Sequence, residues 1–330
     1  MICRLLGQTT TTLVLLGAAV YATAQARIEE SAQNFPSRPV RILVPYVPGG
    51  AVDITARLIS TKASAELKQQ FIVDNRPGGN TTIATGMVAR AAPDGYTLGI
   101  VDSAFTIEPN LSVKLPYDPL RDFVPISILT STAFVLAVHP SVPVKTVAQL
   151  AALSRSKPGQ LAYSSGGSGS MSHLTLEQFK LVTGIDAVHV PFKGGAASAN
   201  AVLSGEVSYT AASQTALVQY IKAGKLRALA VTSNRRLDSM PDVPTFAESK
   251  LNVEVSQFFG LVAPAGTPAR IVTKLNETMV RLLRSTDMTA RMAELGLEVI
   301  ASSPEAFADY IRKDIPKWAQ VVKAAGIKSE

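Results

Sequence analysis

Residues 40–58, VRILVPYVPGGAVDITARL, decide the fold of this chain. The apolar, β-branched run at 40–46 predicts a buried strand, and the proline–glycine turn that follows would end it. Helical spacing then predicts one face of a helix, made of Ile54, Leu58, Thr61 and Ala65. A buried strand, a glycine turn and a helix in this order form the repeating unit of an α/β sheet.

The same order continues along the chain. Short apolar runs alternate with helical patterns from residue 71 to residue 232, which predicts a mostly parallel sheet with helices on both faces. Farther on, Thr267-Pro268 and Ser303-Pro304 each pair an N-cap residue with a proline at the first helical position. Because no flexible linker interrupts the chain, two lobes would have to be joined by crossover strands that act as a hinge.

The first 26 residues have the order of a cleavable signal peptide. A single arginine precedes an apolar run at 13–20, and small residues follow, which predicts cleavage after Ala24 or Ala26. The run is shorter than the roughly 20 residues that a membrane-spanning helix needs. Cleavage removes Cys3, the only cysteine, so the mature chain is expected to use no disulfide or thiolate. The sequence thus predicts export to the periplasm.

The net charge of the chain indicates which kinds of ligand or partner to expect. Lys and Arg number 32 against 25 Asp and Glu, a formal charge of +7. A mildly basic receptor attracts anions at long range, although such a charge also occurs without a ligand-specific reason. The basic residues are scattered and not interleaved with aromatics, so nucleic acid is not an expected partner.

Three glycine-rich loops, at 45–53, 163–173 and 190–195, each follow a predicted strand and open a predicted helix. In an open α/β sheet, ligands bind beyond the carboxyl ends of strands, against helix N-termini. Glycine lets the backbone approach a ligand, and free amides together with the helix dipole favour an anion. One such loop could be an ordinary tight turn, but three after successive strands favour a binding site for a small carboxylate.

Two polar residues in these loops have alternative roles. Asp53 lies in the first turn of its helix, where it could cap the helix or face a ligand. His173 begins another helix and could donate to a ligand or to a loop carbonyl. His139 and His189 adjoin strand ends without partner spacing and are interpreted as structural.

The chain lacks the common catalytic signatures. Its serine-rich loop is not G-x-S-x-G, because Ser170 occupies the position of the last glycine, and neither a P-loop nor H-E-x-x-H occurs. No enzyme activity, metal ion or cofactor is therefore predicted. A hydrolase using Ser168 or Ser165 with His173 stays an alternative, although no third group that would orient the histidine is evident.

At these loops the sequence resembles the Bug family, the extracytoplasmic receptors of tripartite tricarboxylate transporters. The resemblance covers nearly the whole mature chain, and its strength is the order of many short motifs. These are YVPGG at 46–50 with Asp53, NRPGG at 75–79, AAPDGYTL at 91–98, YDP at 117–119, VPFKG at 190–194, GKLRALA at 224–230, PDVPT at 241–245 and APAGTP at 263–268.

The resemblance implies a type II periplasmic-binding-protein fold, in which two α/β lobes surround a ligand cleft and are joined by two crossover strands. Mapped onto this chain, one lobe takes residues 36–136 plus 257–330 and the other 137–256. The resemblance also implies that backbone groups and bridging water hold the ligand carboxylate. The expected partners are membrane subunits of a tripartite transporter, with a monomeric receptor. A sensory module that delivers the same ligand to a membrane histidine kinase stays open as an alternative.

Departures from the family pattern bear on the ligand. Val47 stands where a proline is usual, Asn80-Thr81 alters a loop at the cleft rim, and Ser213-Gln214 replaces an aromatic and an aspartate. The missing acid at 213–214 favours a plain carboxylic acid over an amino-group ligand. The candidate ligand residues are Tyr46, Val47, Pro48, Gly49, Gly50, Asp53, Ser103, Ser165, Gly166, Gly167, Ser168, His173, Phe192, Lys193, Gly194 and Gln214.

Overall fold

The computed structural model describes residues 33–111, 114–192, 194–253 and 255–327. The predicted signal peptide and Lys193 lie outside the described residues. Within the described ranges, no helix combines the length and the apolarity needed to cross a membrane.

The described strands alternate with helices, as the sequence predicts. The strands are β1 (Val40–Val44), β2 (Phe71–Asn75), β3 (Thr97–Asp102), β4 (Phe123–Val138), β5 (Ala162–Ser165), β6 (Val188–Pro191), β7 (Tyr209–Ser213), β8 (Arg227–Val231), β9 (Ser256–Pro264) and β10 (Glu298–Val299). The helices are α1 (Ala51–Leu67), α2 (Thr82–Ala89), α3 (Ala104–Leu111), α4 (Val147–Ser156), α5 (Met171–Thr183), α6 (Gly195–Leu203), α7 (Gln214–Lys222), α8 (Ala269–Leu283), α9 (Thr286–Glu294) and α10 (Pro304–Ala325).

The strands pair in the order β2-β1-β3-β9-β4-β7-β5-β6, with β8 and β10 also on β4. β1 is parallel to β2 and β3, and β5 is parallel to β6 and β7, but the pairs made by β4 and β9 are antiparallel. The expectation of a mostly parallel sheet is therefore wrong for its centre. The long strands β4 and β9 lie between the two parallel groups and run antiparallel to their neighbours, so the sheet is mixed.

The long strand β4 joins two sections of the sheet. Its residues 123–133 pair with β9, and its residues 134–138 pair with β7 and β8. The first section consists of β1, β2, β3, β9, β10 and residues 123–133 of β4. The second section consists of β5 to β8 and residues 134–138 of β4. The chain returns from the second section to the first through residues 232–255, which lead into β9.

Each section is buried on both faces, as expected for strands covered by helices on two sides. In β1, Ile42 and Val44 join one hydrophobic cluster with α1 and α8, whereas Leu43 joins another with α2 and α10. In β4, Leu136 and Val135 likewise belong to different clusters of the second section. The alternation explains why these strands are apolar without interruption.

The predicted face of α1 is wrong, although the helix is where the sequence places it. Ile54 and Leu58 are only half-buried and Thr61 and Ala65 are not in the core, whereas the helix buries Val52, Ala56, Ile59 and Ala63. The period is helical, but the phase differs. Small alanines let the helix axis approach the sheet, so the core face is centred on them rather than on the larger Leu58.

Helix α10 packs against both sections. Phe307 and Ile311 in its first half join the first section, whereas Trp318 and Val322 in its second half join a core cluster of the second section. Asp314 between them accepts hydrogen bonds from Thr106 Oγ1 at 2.7 Å and Trp318 Nε1 at 2.9 Å. The C-terminal helix therefore braces the two sections against each other.

Candidate ligand-binding site

A cavity of 330 Å³ lies between the two sections of the sheet. From the first section and its helices it is lined by Tyr46, Asn80, Asp102, Ser103, Glu108 and Gln257. From the second it is lined by Gly166, Ser170, Ser172, Gly195, Ser198 and Ser213. The carboxyl ends of β1, β3 and β5 thus meet at one space, which is where an open α/β sheet binds ligands.

Only Tyr46 of the first glycine loop reaches the cavity. Its hydroxyl donates to Asp102 Oδ2 at 2.7 Å. Burial, followed by the nearby negative charge of Asp102, raises the pKa of the Tyr46 phenol well above its ordinary value, so it stays a donor. The next residues of the loop are exposed and do not belong to the cavity lining; these are Val47, Pro48, Gly49 and Gly50.

Asp53 holds the first loop in place and lies outside the cavity lining. Its carboxylate accepts hydrogen bonds from Gly49 N, Arg57 Nε and Asn75 Nδ2, each at 2.9 Å. Asn75 Nδ2 also donates to Tyr46 O at 2.9 Å. Burial raises the pKa of Asp53, but the hydrogen bonds outweigh it and the pKa lies below the ordinary value. Of the two roles left open by the sequence, the geometry favours the structural one.

The second glycine loop uses several of its own amides internally. Gly166 N donates to Ser172 Oγ at 2.8 Å, Gly167 N to Ser165 Oγ at 3.2 Å and Gly169 N to His173 Nδ1 at 3.0 Å. These three amides are therefore not among the free amides that the sequence predicts for a ligand. The amides that begin α5 have no intrahelical acceptor, and their residues, Met171 and Ser172, line the cavity.

His173 lies behind the second loop, not in the cavity. Its ring stacks on His189 with centroids 3.8 Å apart, and His189 Nε2 lies 2.6 Å from Ser165 Oγ. Burial and then the neighbouring His189 lower the pKa of His173 to about 4. The imidazole ring of His173 is therefore uncharged near neutral pH. Ser165 and His173 are buried and support the loop, whereas Gly167 is half-buried and Ser168 is exposed; none of them lines the cavity.

The hydrolase alternative does not fit this arrangement. Ser165 meets His189 rather than His173, and its side chain is fully buried where no substrate can reach it. Ser168 is exposed, but His173 is buried and its Nδ1 accepts a hydrogen bond from Gly169 N. The carboxylate next to the pair, Glu177, accepts hydrogen bonds from Tyr163 and from Lys180. A nucleophile must be exposed to its substrate, so this group of residues is structural.

The third loop packs against the second. Gly194 N donates to Gly166 O at 3.1 Å, and a Cβ added to Gly166 would lie 3.3 Å from Gly195 N. Phe192 is half-buried in a hydrophobic cluster of the second section. The loop reaches the cavity through Gly195 and not through the predicted residues Phe192 and Gly194.

Gln214 does not face this cavity. It is buried at the start of α7 and lines a separate cavity of 420 Å³ together with Thr132 and Gly296. Its neighbour Ser213 lines the ligand cavity instead. β7 ends at Ser213 and α7 begins at Gln214, and the two neighbouring residues line different cavities.

Sequence reasoning missed three lining residues with strong chemistry. Asp102 accepts hydrogen bonds from Tyr46, from Gln257 Nε2 at 3.0 Å and from Ala104 N at 3.0 Å. Glu108 accepts one from the amide of Asn80. Asp102 is the last residue of the apolar strand β3, so the rule that located the three loops at strand ends also applies to it. Glu108 on α3 and Gln257 on β9 carry no local signal.

The comparison with known proteins agrees with this geometry. The sequence pattern of the group described as "Tripartite tricarboxylate transporter family receptor" matches residues 55–327. The chain belongs to this family. The resemblance to the Bug family is thereby confirmed, and so is the α/β solute-binding fold. Members of this family are substrate-binding receptors, not enzymes.

Individual relatives match over nearly their whole length. Protein BugT of Bordetella pertussis is 33% identical over 96% of this chain and 98% of its own. The structure of Rpa4515 of R. palustris with adipate has a TM-score of 0.81 at 35% identity, covering 90% of this chain and 100% of that one. MatC of Rhodopseudomonas palustris, solved with bound malate, has a TM-score of 0.74 at 32% identity, covering 87% and 100%.

Proposed function

We propose that this protein is a periplasmic receptor that captures a small organic carboxylate between two lobes and delivers it to the membrane subunits of a tripartite tricarboxylate-type transporter. The observation that carries the proposal is the cavity between the two sections, which the first turn of α5 enters with Met171 and Ser172. Relatives of the same fold are solved with adipate and with malate, both carboxylates.

The proposal includes the organisation of the chain. Residues 1–26 would act as the signal peptide that brings the protein to the periplasm. Residues 36–136 plus 257–330 would form one lobe and 137–256 the other, with β4 as one hinge strand. Support comes from the division of β4 between the two sections at residues 133–134. Closure over the ligand would then be a hinge motion of the two lobes, stabilised by contacts that exist only when both lobes touch the ligand. The receptor would act as a monomer, which light scattering would test.

The carboxylate would lie against the N-terminus of α5. The first amides of a helix and its dipole favour an anion, and Ser170 and Ser172 add hydroxyl donors at the same end. Ser172 Oγ already accepts from Gly166 N and lies 3.0 Å from Ser170 Oγ, so these groups are fixed before a ligand arrives. Preorganised donors lose little entropy on binding.

A thermal-shift screen of the protein, unfolded and refolded to remove bound ligand, tests the proposal. A ligand at about 100 times its Kd stabilises by about 2.7 kcal/mol, which is readily measured. Shifts confined to carboxylates would support the proposal, and a response only to sugars or nucleotides would refute it. Ser172→Ala should weaken binding of the identified acid about tenfold, whereas the exposed Ser156→Ala should not.

The delivery step needs its own measurement. Cross-linking of the ligand-loaded protein in membranes, followed by identification of the captured subunits, should recover transporter proteins. Recovery of a membrane histidine kinase instead would replace delivery by signalling while leaving carboxylate capture intact.

A further inference from the structure

Two carboxylates face the cavity from the first section. Asp102 and Glu108 are each only 3% exposed, and both belong to the lining. Among the described lining residues none is Lys, Arg or His. With both carboxylates ionised, this wall of the cavity carries two negative charges, which disfavour a second anionic group placed beside them.

The structure holds Asp102 as a fixed acceptor. Oδ2 accepts from Tyr46 and Gln257 and Oδ1 from Ala104 N, so three donors on three different elements fix its orientation. Asp102 also lines the cavity, so its carboxylate oxygens border the space that a ligand donor would occupy. Burial raises the pKa of Asp102 above its ordinary value, although the hydrogen bonds to the carboxylate offset part of that rise by stabilising the anion.

Glu108 extends the negative wall by one turn of α3. Its Oε1 accepts from the Asn80 amide, which orients the carboxylate. Its charge reaches the same end of the cavity as that of Asp102, since burial, then Asp102 and then Glu108 raise the pKa of the Tyr46 phenol, which lines the cavity. Asp102 and Glu108 therefore act on one region rather than on two unrelated places.

The part of the lining that comes from the second section favours a negatively charged group. It consists of the first turn of α5, with Ser170 and Ser172, and of Gly195 at the start of α6. Helix N-termini and hydroxyl donors favour an anionic group. The lining residues of the second section thus favour an anionic group, and those of the first section favour a cationic one.

We infer that the ligand is an amino-carboxylate, whose carboxylate lies at the N-terminus of α5 and whose protonated amine donates to Asp102 and Glu108. The inference rests on the proposed function, because it assumes that the cavity takes a carboxylate. The missing acid at 213–214 favoured a plain acid in the sequence. The tertiary structure supplies acidic groups from α3 and the end of β3 instead.

Matched ligand pairs test this inference by isothermal titration calorimetry on the ligand-free protein. The pairs are 4-aminobutanoate with butanoate, glutamate with glutarate, alanine with propanoate, and phenylalanine with 3-phenylpropanoate. Succinate, which has a second carboxylate in place of the amine, is also compared with 4-aminobutanoate. An amino-carboxylate should bind at least about tenfold more tightly than its partner without the amine, since a charged hydrogen bond is gained.

Each other outcome overturns a defined claim. Plain acids that bind as tightly as their amino partners, or more tightly, would overturn this inference and leave the proposed function standing. Butylamine that binds as tightly as 4-aminobutanoate would support the acidic wall and overturn the carboxylate receptor. Binding by none of these compounds would overturn both.

Glu108→Gln isolates the charge. The amide oxygen of glutamine keeps an acceptor for Asn80, so the fold should be retained, as an unchanged melting temperature without ligand would show. Affinity for the amino-carboxylate should fall at least about tenfold, while affinity for the plain acid stays or rises. Glu206→Gln is the matched control, because Glu206 is exposed just before β7, at the edge of the sheet away from the cavity. An unchanged ratio of affinities in Glu108→Gln would overturn the inference.

Discussion

Replacing Asp53 by alanine separates the two roles considered for this carboxylate, holding the first loop and contacting the ligand. The side chain is 2% exposed and accepts hydrogen bonds from Gly49 N, Arg57 Nε and Asn75 Nδ2. A residue that only contacts ligand would leave the stability of the free protein unchanged. A residue that ties the loop to the end of β2 would lower it without any ligand present.

The size of the loss follows from these contacts. Arg57 is 52% exposed, so its pair with Asp53 contributes about 0–1 kcal/mol. The bonds from Gly49 and Asn75 are charge-assisted and contribute about 1.5 kcal/mol each at the low end, because both donors can be partly rehydrated. Removing a buried carboxylate returns part of its desolvation cost. Asp53→Ala should therefore lower the unfolding free energy by about 2–3 kcal/mol and the melting temperature by about 5 °C.

Urea denaturation of the ligand-free protein, followed by circular dichroism, measures this loss. Asp238→Ala is the control, because Asp238 is 91% exposed and its loss should change stability by less than about 0.5 kcal/mol. Since the pKa of Asp53 is lowered on folding, its contribution is complete near neutral pH and is lost as the pH falls through the carboxyl range. Unchanged stability together with lost ligand affinity would refute the reasoning and assign Asp53 to the ligand.

Gly169 has φ +74°, and a Cβ on it would lie 2.5 Å from Leu111 Cδ1, so Gly169→Ala should weaken ligand binding at least about tenfold. Gly184→Ala is the control, because Gly184 has φ +63° and open space around it, so the variant should change stability but not ligand affinity. Equal ligand affinities of the two variants in calorimetry would contradict the prediction. The pKa of His173 falls from 6.5 to about 4 on folding, so the unfolded chain binds this proton first and stability is lost as the pH drops through that window. Urea titrations at several pH values should show that the unfolding free energy falls by up to about 3 kcal/mol over this pH range, and that it falls less in His173→Asn. An identical pH dependence in both proteins would contradict the prediction. Trp318→Ala should cost about 3–5 kcal/mol of unfolding free energy in urea, and a loss below about 1 kcal/mol would show that α10 does not brace the two sections.

Much of the fold could be predicted from local patterns. The strand at 40–44, the turn at 49–50 and the helix from 51 follow from apolar runs, glycines and helical spacing, which act over a few residues. The phase of α1 could not be predicted in this way, because it depends on how closely the sheet approaches Ala56 and Ala63. The antiparallel centre also escaped prediction, since the partner of β4 is more than a hundred residues away in sequence.

The candidate site shows the same division. The three glycine loops converge on one edge of the sheet, as expected from strands of one direction, and Tyr46, Ser103 and Gly166 line the cavity. Which neighbours face it is a matter of side-chain direction. Gln214 turns to another cavity while Ser213 lines this one.

The sequence by itself determined the α/β class, the family and the loops that surround the cavity, because these depend on short-range patterns and on the order of motifs. Only the tertiary structure decided the chemistry inside. Asp102 and Gln257 are 155 residues apart and meet because β3 pairs with β9. His173 and Asp53 have the right residue types for a ligand site, yet packing directs both into the supports of their loops. Position along the chain sets which residues are available, and strand register and helix packing set which of them share a space.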